Sequence, residues 1–313
     1  MKTTRALIVL VPGVHLQDLA GPVQVLYEAR RYRLIHCGAR PTVASAQGLT
    51  LANLAPLPPP QADDLVVVPG FESSLLDGRL PLPLDWLRRA HRAGARIASI
   101  CSGAFALARA GLLDGRRCTT HWKLTDRLRR EQPKACVLDD RLFVDDGRVV
   151  TSAGVTAGID LMLWLVEADH GPLLAAQVAR EMVVYLRRRG DDEQRSVYLD
   201  HRTHLHPGVH RVQDFLVQNP QARATAGELA RIAGMSPRNL TRVFRRATGV
   251  TPHQFSSRVK LQLARDLLND PQRTVDAIAG GIGFDDGRQL RRLFRQQYGV
   301  SIREFRDLAR RAS

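Results

Sequence analysis

Cysteine is scarce in this chain. Four residues in 313 carry a thiol (Cys37, Cys101, Cys118 and Cys136), and no two stand at the spacing C-x-x-C. Without an export signal, such a set reads as reduced thiols and argues against a disulfide-stapled scaffold. Long hydrophobic runs are absent too: no apolar stretch approaches the roughly 18 residues that a membrane span requires. Lys2 and Arg5 lie before an apolar run at 6–11. That run is shorter than the roughly 7–15 residues of a signal-peptide core, and it stops at Pro12-Gly13 with no small-x-small cleavage site. A first β-strand is expected there, and the cytoplasm is the expected compartment. No Trp-rich amphipathic helix is present to lie on a membrane surface. No metal site and no cofactor are expected.

What the chain has in excess is positive charge. Its formal net charge is +15, and a hydrophobic fraction of 44% supplies sizeable cores. The length corresponds to about two domains. The charge is unevenly placed. Residues 1–186 carry 22 Lys and Arg against 18 Asp and Glu, whereas residues 209–313 carry 19 against 9. A cationic surplus confined to the last third points to a polyanionic partner, with double-stranded DNA the expected one.

The first half alternates short apolar runs with longer helix-like ones. Strands are expected at 6–11, 33–37, 65–68 and 96–100, and a hairpin at 141–150 with Asp146-Gly147 at its centre. Helices are expected from Asp18 to about Arg31, at 83–93, 102–110 and 156–168, and from Pro172 through Arg188. Continuous apolar strands between helices predict a parallel sheet covered on both faces, a flavodoxin-like or amidotransferase-like α/β domain over residues 1–186. Residues 187–208 lack a sustained apolar period and read as a linker. The run Arg187-Arg188-Arg189 is expected as a solvated helix end, with a DNA contact as the alternative.

Residues 209–313 read as all-α, with an internal repeat. The segment at 240–250 (LTRVFRRATGV) matches that at 290–300 (LRRLFRQQYGV) at an offset of fifty, and each has an upstream partner, at 228–234 and 277–283. Two helix–turn–helix units are the simplest description. In the first, Gly234 ends one helix in a left-handed turn, Ser236 offers an N-cap and Pro237 opens the next helix. Leu240, Val243 and Phe244 form the buried stripe of that helix. Leu290, Leu293 and Phe294 repeat it in the second unit. Arginines therefore fall on the open side of both helices, where a recognition helix needs base-reaching groups early and cations for phosphate farther on.

On these residues the last third resembles the AraC/XylS family of regulators. The match includes the G-F-x-x-x-x-x-L-x-R-x-F-R-x-x-x-G-V-S run at 283–301 and Phe305-Arg306 after it. The resemblance implies base contacts by Arg238 and Arg242 in the first unit and by Arg288 and Arg292 in the second. Arg245 and Arg295, farther along each helix, are expected to contact phosphate. Ile302 stands where that family usually has Pro.

The sharpest feature of the first domain is Ser99-Ile-Cys101-Ser-Gly103, a strand running into a cysteine and at once into a helix. It has the shape of a nucleophile elbow. A thiol at a helix N-terminus is expected to lean toward thiolate. The surrounding segments, Val11-Pro-Gly13 to Gly21-Pro22, Val68-Pro-Gly-Phe71, Cys101-Ser-Gly and Thr119-Thr-His-Trp122, resemble the ThiJ/PfpI group of the class I glutamine amidotransferase-like fold. With the AraC-like domain after it, the whole chain resembles the GlxA family of regulators.

The catalytic pattern of those enzymes is incomplete. No His-x-Glu occurs before residue 190, and Ser102 stands where the peptidases have a His. Asp18 occupies the region where ThiJ-like enzymes carry a Glu. Asp18, Cys101 and His121 are therefore expected to line a ligand pocket, with no catalytic residue assigned. The expected protein is a transcription regulator that binds a small-molecule effector, is a homodimer through its first domain, and contacts RNA polymerase. The alternatives are a cysteine-dependent hydrolase or glyoxal-handling enzyme with an added DNA-binding domain, and a thiol redox sensor using Cys101.

Overall fold

A computed structural model describes residues 3–78, 81–184, 187–194, 201–268, 270 and 272–311. The chain divides into two compact units, Met1–Gln194 and Arg195–Ser313. The division falls within the stretch expected as a linker, 187–208.

The strands of the first unit are, in chain order, β1 (Thr4–Leu10), β2 (Tyr32–Gly38), β3 (Val43–Ala44), β4 (Thr50–Leu51), β5 (Ala55–Pro56) and β6 (Leu65–Val68). Then follow β7 (Arg96–Ile100), β8 (Arg117–Cys118), β9 (Cys136–Val137), β10 (Phe143–Asp146) and β11 (Val149–Ser152). Seven of them form one sheet in the order β10-β11-β7-β6-β1-β2-β5. All neighbours are parallel except the β10–β11 hairpin, which turns at Gly147 with φ +70°.

Strand β1 shows why the run is continuously apolar. Ala6 and Ile8 enter the core on one face, while Leu7 and Val9 enter the core on the other. Helices α1 (Leu16–Ala29), α5 (Ala157–His170) and α6 (Pro172–Glu181) cover the first face. Helices α2 (Leu84–Ala93), α3 (Gly103–Arg109) and α4 (Thr125–Glu131) cover the second. This is the expected α/β layering.

Helix α4 and the short strands β3, β4, β5, β8 and β9 are additions to the expected elements, and one expected helix is shorter. The helix expected to reach Arg188 stops at Glu181, and Val183 takes a left-handed φ of 54°. Residues 187–194 then return to the first unit. Leu142 N donates to Asp192 O (3.0 Å) and Phe143 N to Gly190 O (3.3 Å). Two of the three arginines at 187–189 are docked rather than solvated, while Arg189 is exposed. Arg187 pairs with Glu167, and Arg188 pairs with Asp160, a carboxylate only 5% exposed. A buried carboxylate needs such a partner, and that requirement overrides continued helix.

The second unit is all helix: α7 (Pro207–Gln218), α8 (Ala226–Ala233), α9 (Pro237–Thr248), α10 (Pro252–Leu268), α11 (Val275–Gly281), α12 (Gly287–Tyr298) and α13 (Ile302–Arg311). It has two cores. Leu229, Ala233, Leu240 and Phe244 belong to one, and Ile278, Ile282, Leu290 and Phe294 to the other. Helix α10 gives Phe255 and Val259 to the first core and Leu261, Ala264 and Leu268 to the second. The fifty-residue repeat is thus two helix–turn–helix units threaded on one long helix.

Candidate functional site

In the second unit, capping fixes where the second helix of each helix–turn–helix unit begins. Ser236 Oγ accepts from Asn239 N (3.4 Å), Pro237 opens α9, and Gly234 holds the preceding left-handed turn at φ +69°. In the repeat, Asp286 Oδ1 accepts from Gln289 N (2.7 Å) and caps α12. Gly283 makes the turn at φ +78°, where a Cβ would stand 2.5 Å from Gln221 O. Buried Lys260 reaches from α10 to donate to Gly283 O (2.9 Å), tying the turn to the long helix. Ile302, the departure from proline, is buried in the second core and opens α13 beside a capping pair of Ser301 and Glu304.

With Leu240 and Phe244 buried, Arg238, Arg242, Arg245 and Arg246 are exposed along α9. On α12, Arg288, Arg292 and Arg295 are exposed opposite Leu290 and Phe294. Arg242 donates to Asn239 Oδ1 (2.8 Å), which steadies it along the helix without neutralising it. Arg291 differs, because it lies 3.7 Å from Asp276. Among the described residues, no ion pair joins a carboxylate to Arg238, Arg242, Arg288 or Arg292, whereas the charge of Arg295 acts on Glu304. Unneutralised guanidinium groups repeated on two helices are what a polyanion requires.

In the first unit, the strand–helix turn has the strained shape the sequence implied. Cys101 has φ 52°, and its amide donates to Ser152 O (3.0 Å). Ser102 Oγ donates to Phe71 O (2.6 Å) and accepts from Phe71 N (2.7 Å), a buried clamp behind the turn. Three glycines permit the close approach. A Cβ on Gly70 would stand 2.8 Å from Cys101 Cβ, one on Gly103 would meet Pro69 O at 3.0 Å, and one on Gly154 would lie 3.0 Å from Cys101 Sγ.

The structure brings Asp18 and Cys101 together. Asp18 is 2% exposed, lies beside Cys101 across Gly70, and accepts from Val155 N (2.5 Å). Burial raises the Asp18 carboxyl above its ordinary value, and the Val155 amide partly offsets that. Burial, reinforced by the adjacent Asp18 charge, pushes the Cys101 thiol up to about 12. The expected lean toward thiolate is therefore overturned: desolvation beside a carboxylate outweighs the short helix behind it.

His121 is half-buried. Its Nδ1 accepts from Lys123 N (3.3 Å) and its ring lies against Trp122 at 5.6 Å. Burial lowers its pKa, followed by the charges of Lys123 and His15. Among the described residues no hydrogen bond joins His121 to Asp18 or Cys101. His15, whose charge acts on both Asp18 and His121, was missed by the sequence reading, as were Gly154 and Val155. Thr120 supports the turn from the other side, its hydroxyl donating to Cys101 O (2.7 Å). No group of His, Cys, Asp and Glu among the described residues could hold a metal ion, and no described helix is long and apolar enough to cross a membrane.

Comparison with known proteins joins the two halves. Residues 4–168 match the model of the DJ-1/PfpI family, and residues 229–308 match that of the helix-turn-helix domain. The HTH-type transcriptional regulator CdhR of Pseudomonas aeruginosa is 32% identical over 93% of this chain and 88% of its own length. The HTH-type transcriptional regulator GlxA of Rhizobium meliloti is 32% identical over 69% of this chain and 71% of its own. Among solved structures, an AraC family transcriptional regulator from Pseudomonas putida gives a TM-score of 0.51 at 25% identity, over 57% of this chain and 99% of that one. All three are named as regulators, not as enzymes.

Proposed function

Because this chain belongs to the DJ-1/PfpI family through residues 4–168 and adds a helix-turn-helix domain at 229–308, we propose that it is a sequence-specific DNA-binding transcription regulator controlled by a small molecule. The observation that carries the proposal is the pair of helices, α9 and α12, with one buried stripe and one exposed arginine face each. Arg238, Arg242, Arg288 and Arg292 read base edges, and Arg245 and Arg295 hold phosphates. The effector binds in the first unit beside Asp18, Cys101 and His121. What supports this is that Cys101 directly follows the carboxyl end of β7, the edge at which open α/β sheets take their ligands.

The DNA-binding domain spans 209–313, the sensing and dimerisation domain 1–186, and residues 187–208 connect them. The regulator acts as a homodimer on cytoplasmic DNA and meets RNA polymerase there. A thiol at about 12 supports a binding site over a nucleophile or a redox centre, because the reactive species in both alternatives is the thiolate.

The test is binding of the full chain to a pool of random duplexes at several salt concentrations. The proposal expects enrichment of one sequence and a logarithmic salt slope of at least about −5, from six or more phosphate contacts. Binding without enrichment of any sequence would refute sequence-specific regulation.

A further inference from the structure

We propose that residues 188–194 are the read-out element of the Asp18–Cys101 site: the state of that site and the docking of this stretch are energetically coupled. The inference rests on the reading that this site takes the effector. It adds the route by which occupancy leaves the first unit.

Two arms connect the site to the stretch. The first starts at Asp18, whose Oδ1 accepts from Val155 N. Val155 is β-branched and holds φ 51°, a conformation that such a residue keeps only when held. The next residue, Thr156, accepts on Oγ1 from Arg188 Nη2 (2.8 Å). One turn into α5, Asp160 accepts from Arg188 three times: from its N (3.0 Å), Nε (3.0 Å) and Nη2 (2.6 Å). Undocking Arg188 would leave a buried carboxylate without its cation, so docked and undocked forms are discrete states.

The second arm starts at Cys101, whose carbonyl accepts from Thr120 Oγ1. The Thr120 carbonyl in turn accepts from Gln194 Nε2 (2.8 Å), which also donates to Arg141 O (3.0 Å). Between the arms, Arg141 Nη1 donates to Asp191 O (2.7 Å). One end of the stretch is therefore fastened to Thr120, which bonds Cys101, and the other to Thr156 and Asp160, which follow the Val155 that bonds Asp18. An occupant that draws the Asp18 carboxylate from Val155 frees a strained backbone and loosens the Thr156 hold on Arg188. Gln194 is the last residue of the first unit and Arg195 the first of the second, so this stretch is the part of the first unit that immediately precedes the second in the chain.

The test uses the full chain without ligand or DNA, read by amide hydrogen exchange with peptide resolution. Asp18→Asn, Thr120→Val and Thr156→Val are expected to raise exchange across 188–194 by about 5-fold or more, the lower end of coupling between linked sites. Exchange in β1 and β6 stays unchanged. Reciprocally, Arg188→Ala raises exchange at 153–156. Should Asp18→Asn not fold, the two threonine variants, each losing one hydroxyl, carry the test. Unchanged exchange across 188–194 in the variants that fold, or additive effects in the Thr156→Val, Arg188→Ala double variant, would overturn the coupling. Such a result would leave the DNA-binding proposal standing, since no DNA enters the measurement.

Discussion

Gly154 lies directly against Cys101: a Cβ at position 154 would overlap the Cβ of Cys101 and stand 2.9 Å from its Cα. Gly154 also holds φ +90°, which side-chain-bearing residues rarely adopt. Gly154→Ala is therefore expected to destabilise the first unit by about 2–4 kcal/mol, combining an overpacking cost with a left-handed backbone cost. Urea unfolding of the full chain measures it. A loss below about 0.5 kcal/mol, the range of neutral surface changes, would mean that the turn can shift away from Cys101.

The thiols make a second prediction. Cys37, Cys101 and Cys118 are buried, each pushed up to about 12 by desolvation, while Cys136 is exposed. Iodoacetamide at pH 8 should modify Cys136 first, and Cys136→Ser should abolish the fast phase. The same shift has a consequence for stability. An unfolded thiol releases its proton near pH 8.5, whereas these folded thiols keep theirs. Their contribution is thus full below about pH 8.5 and is lost as pH rises toward 12, so chemical stability should fall over that window. Rapid labelling of Cys101 in the native protein at pH 8 would contradict the buried, protonated thiol.

Much of this was legible because two periodicities repeat. The offset of fifty that pairs Leu240 with Leu290 and Phe244 with Phe294 places all four in buried positions. Ser236 as N-cap and Gly234 as turn follow from local backbone chemistry, which sequence encodes directly. Cys101 was visible because a strand and a helix meet at one residue. Residues 187–194 were not legible, because Arg188 on Asp160 is a contact between residues 28 apart, and charged residues have the same pattern whether solvated or docked. The ionisation of Cys101 was misread for a related reason. A helix start is local and visible, whereas the approach of Asp18 from α1 is not.

A strap before α7 gives a third prediction. Gln213 is fully buried, its Nε2 donating to His201 O (2.7 Å) and its Oε1 accepting from His204 Nε2 (3.2 Å). His201 Nδ1 in turn donates to Thr248 O (2.9 Å) at the end of α9. A fragment 201–313 is expected to be more stable than a fragment 207–313 by about 1–3 kcal/mol, the cost of leaving a buried amide without partners. Denaturant midpoints of the two fragments decide it. Equal midpoints would show that the strap contributes nothing to the first helix–turn–helix unit.

The proposed roles of the arginines give a fourth prediction. Arg245→Ala and Arg295→Ala should weaken binding to all sequences about equally and reduce the salt slope by roughly one unit each, as expected for phosphate contacts. Competition binding against specific and random duplexes at several salt concentrations measures both effects. A change of base preference in either variant would move that residue to the base-reading set.

The most direct measurement is the base preference of Arg242→Ala and Arg292→Ala, each bound to every single-base variant of the duplex that the full chain selects. If α9 and α12 both read major grooves, each variant loses about 1–3 kcal/mol on the selected site and relaxes preference at one or two base pairs. Two recognition helices in one chain should place those positions about one helical turn apart, roughly 34 Å. Uniform weakening with unchanged base preference in both variants would contradict the account, and preference lost only with Arg242→Ala would leave the second unit without a reading role.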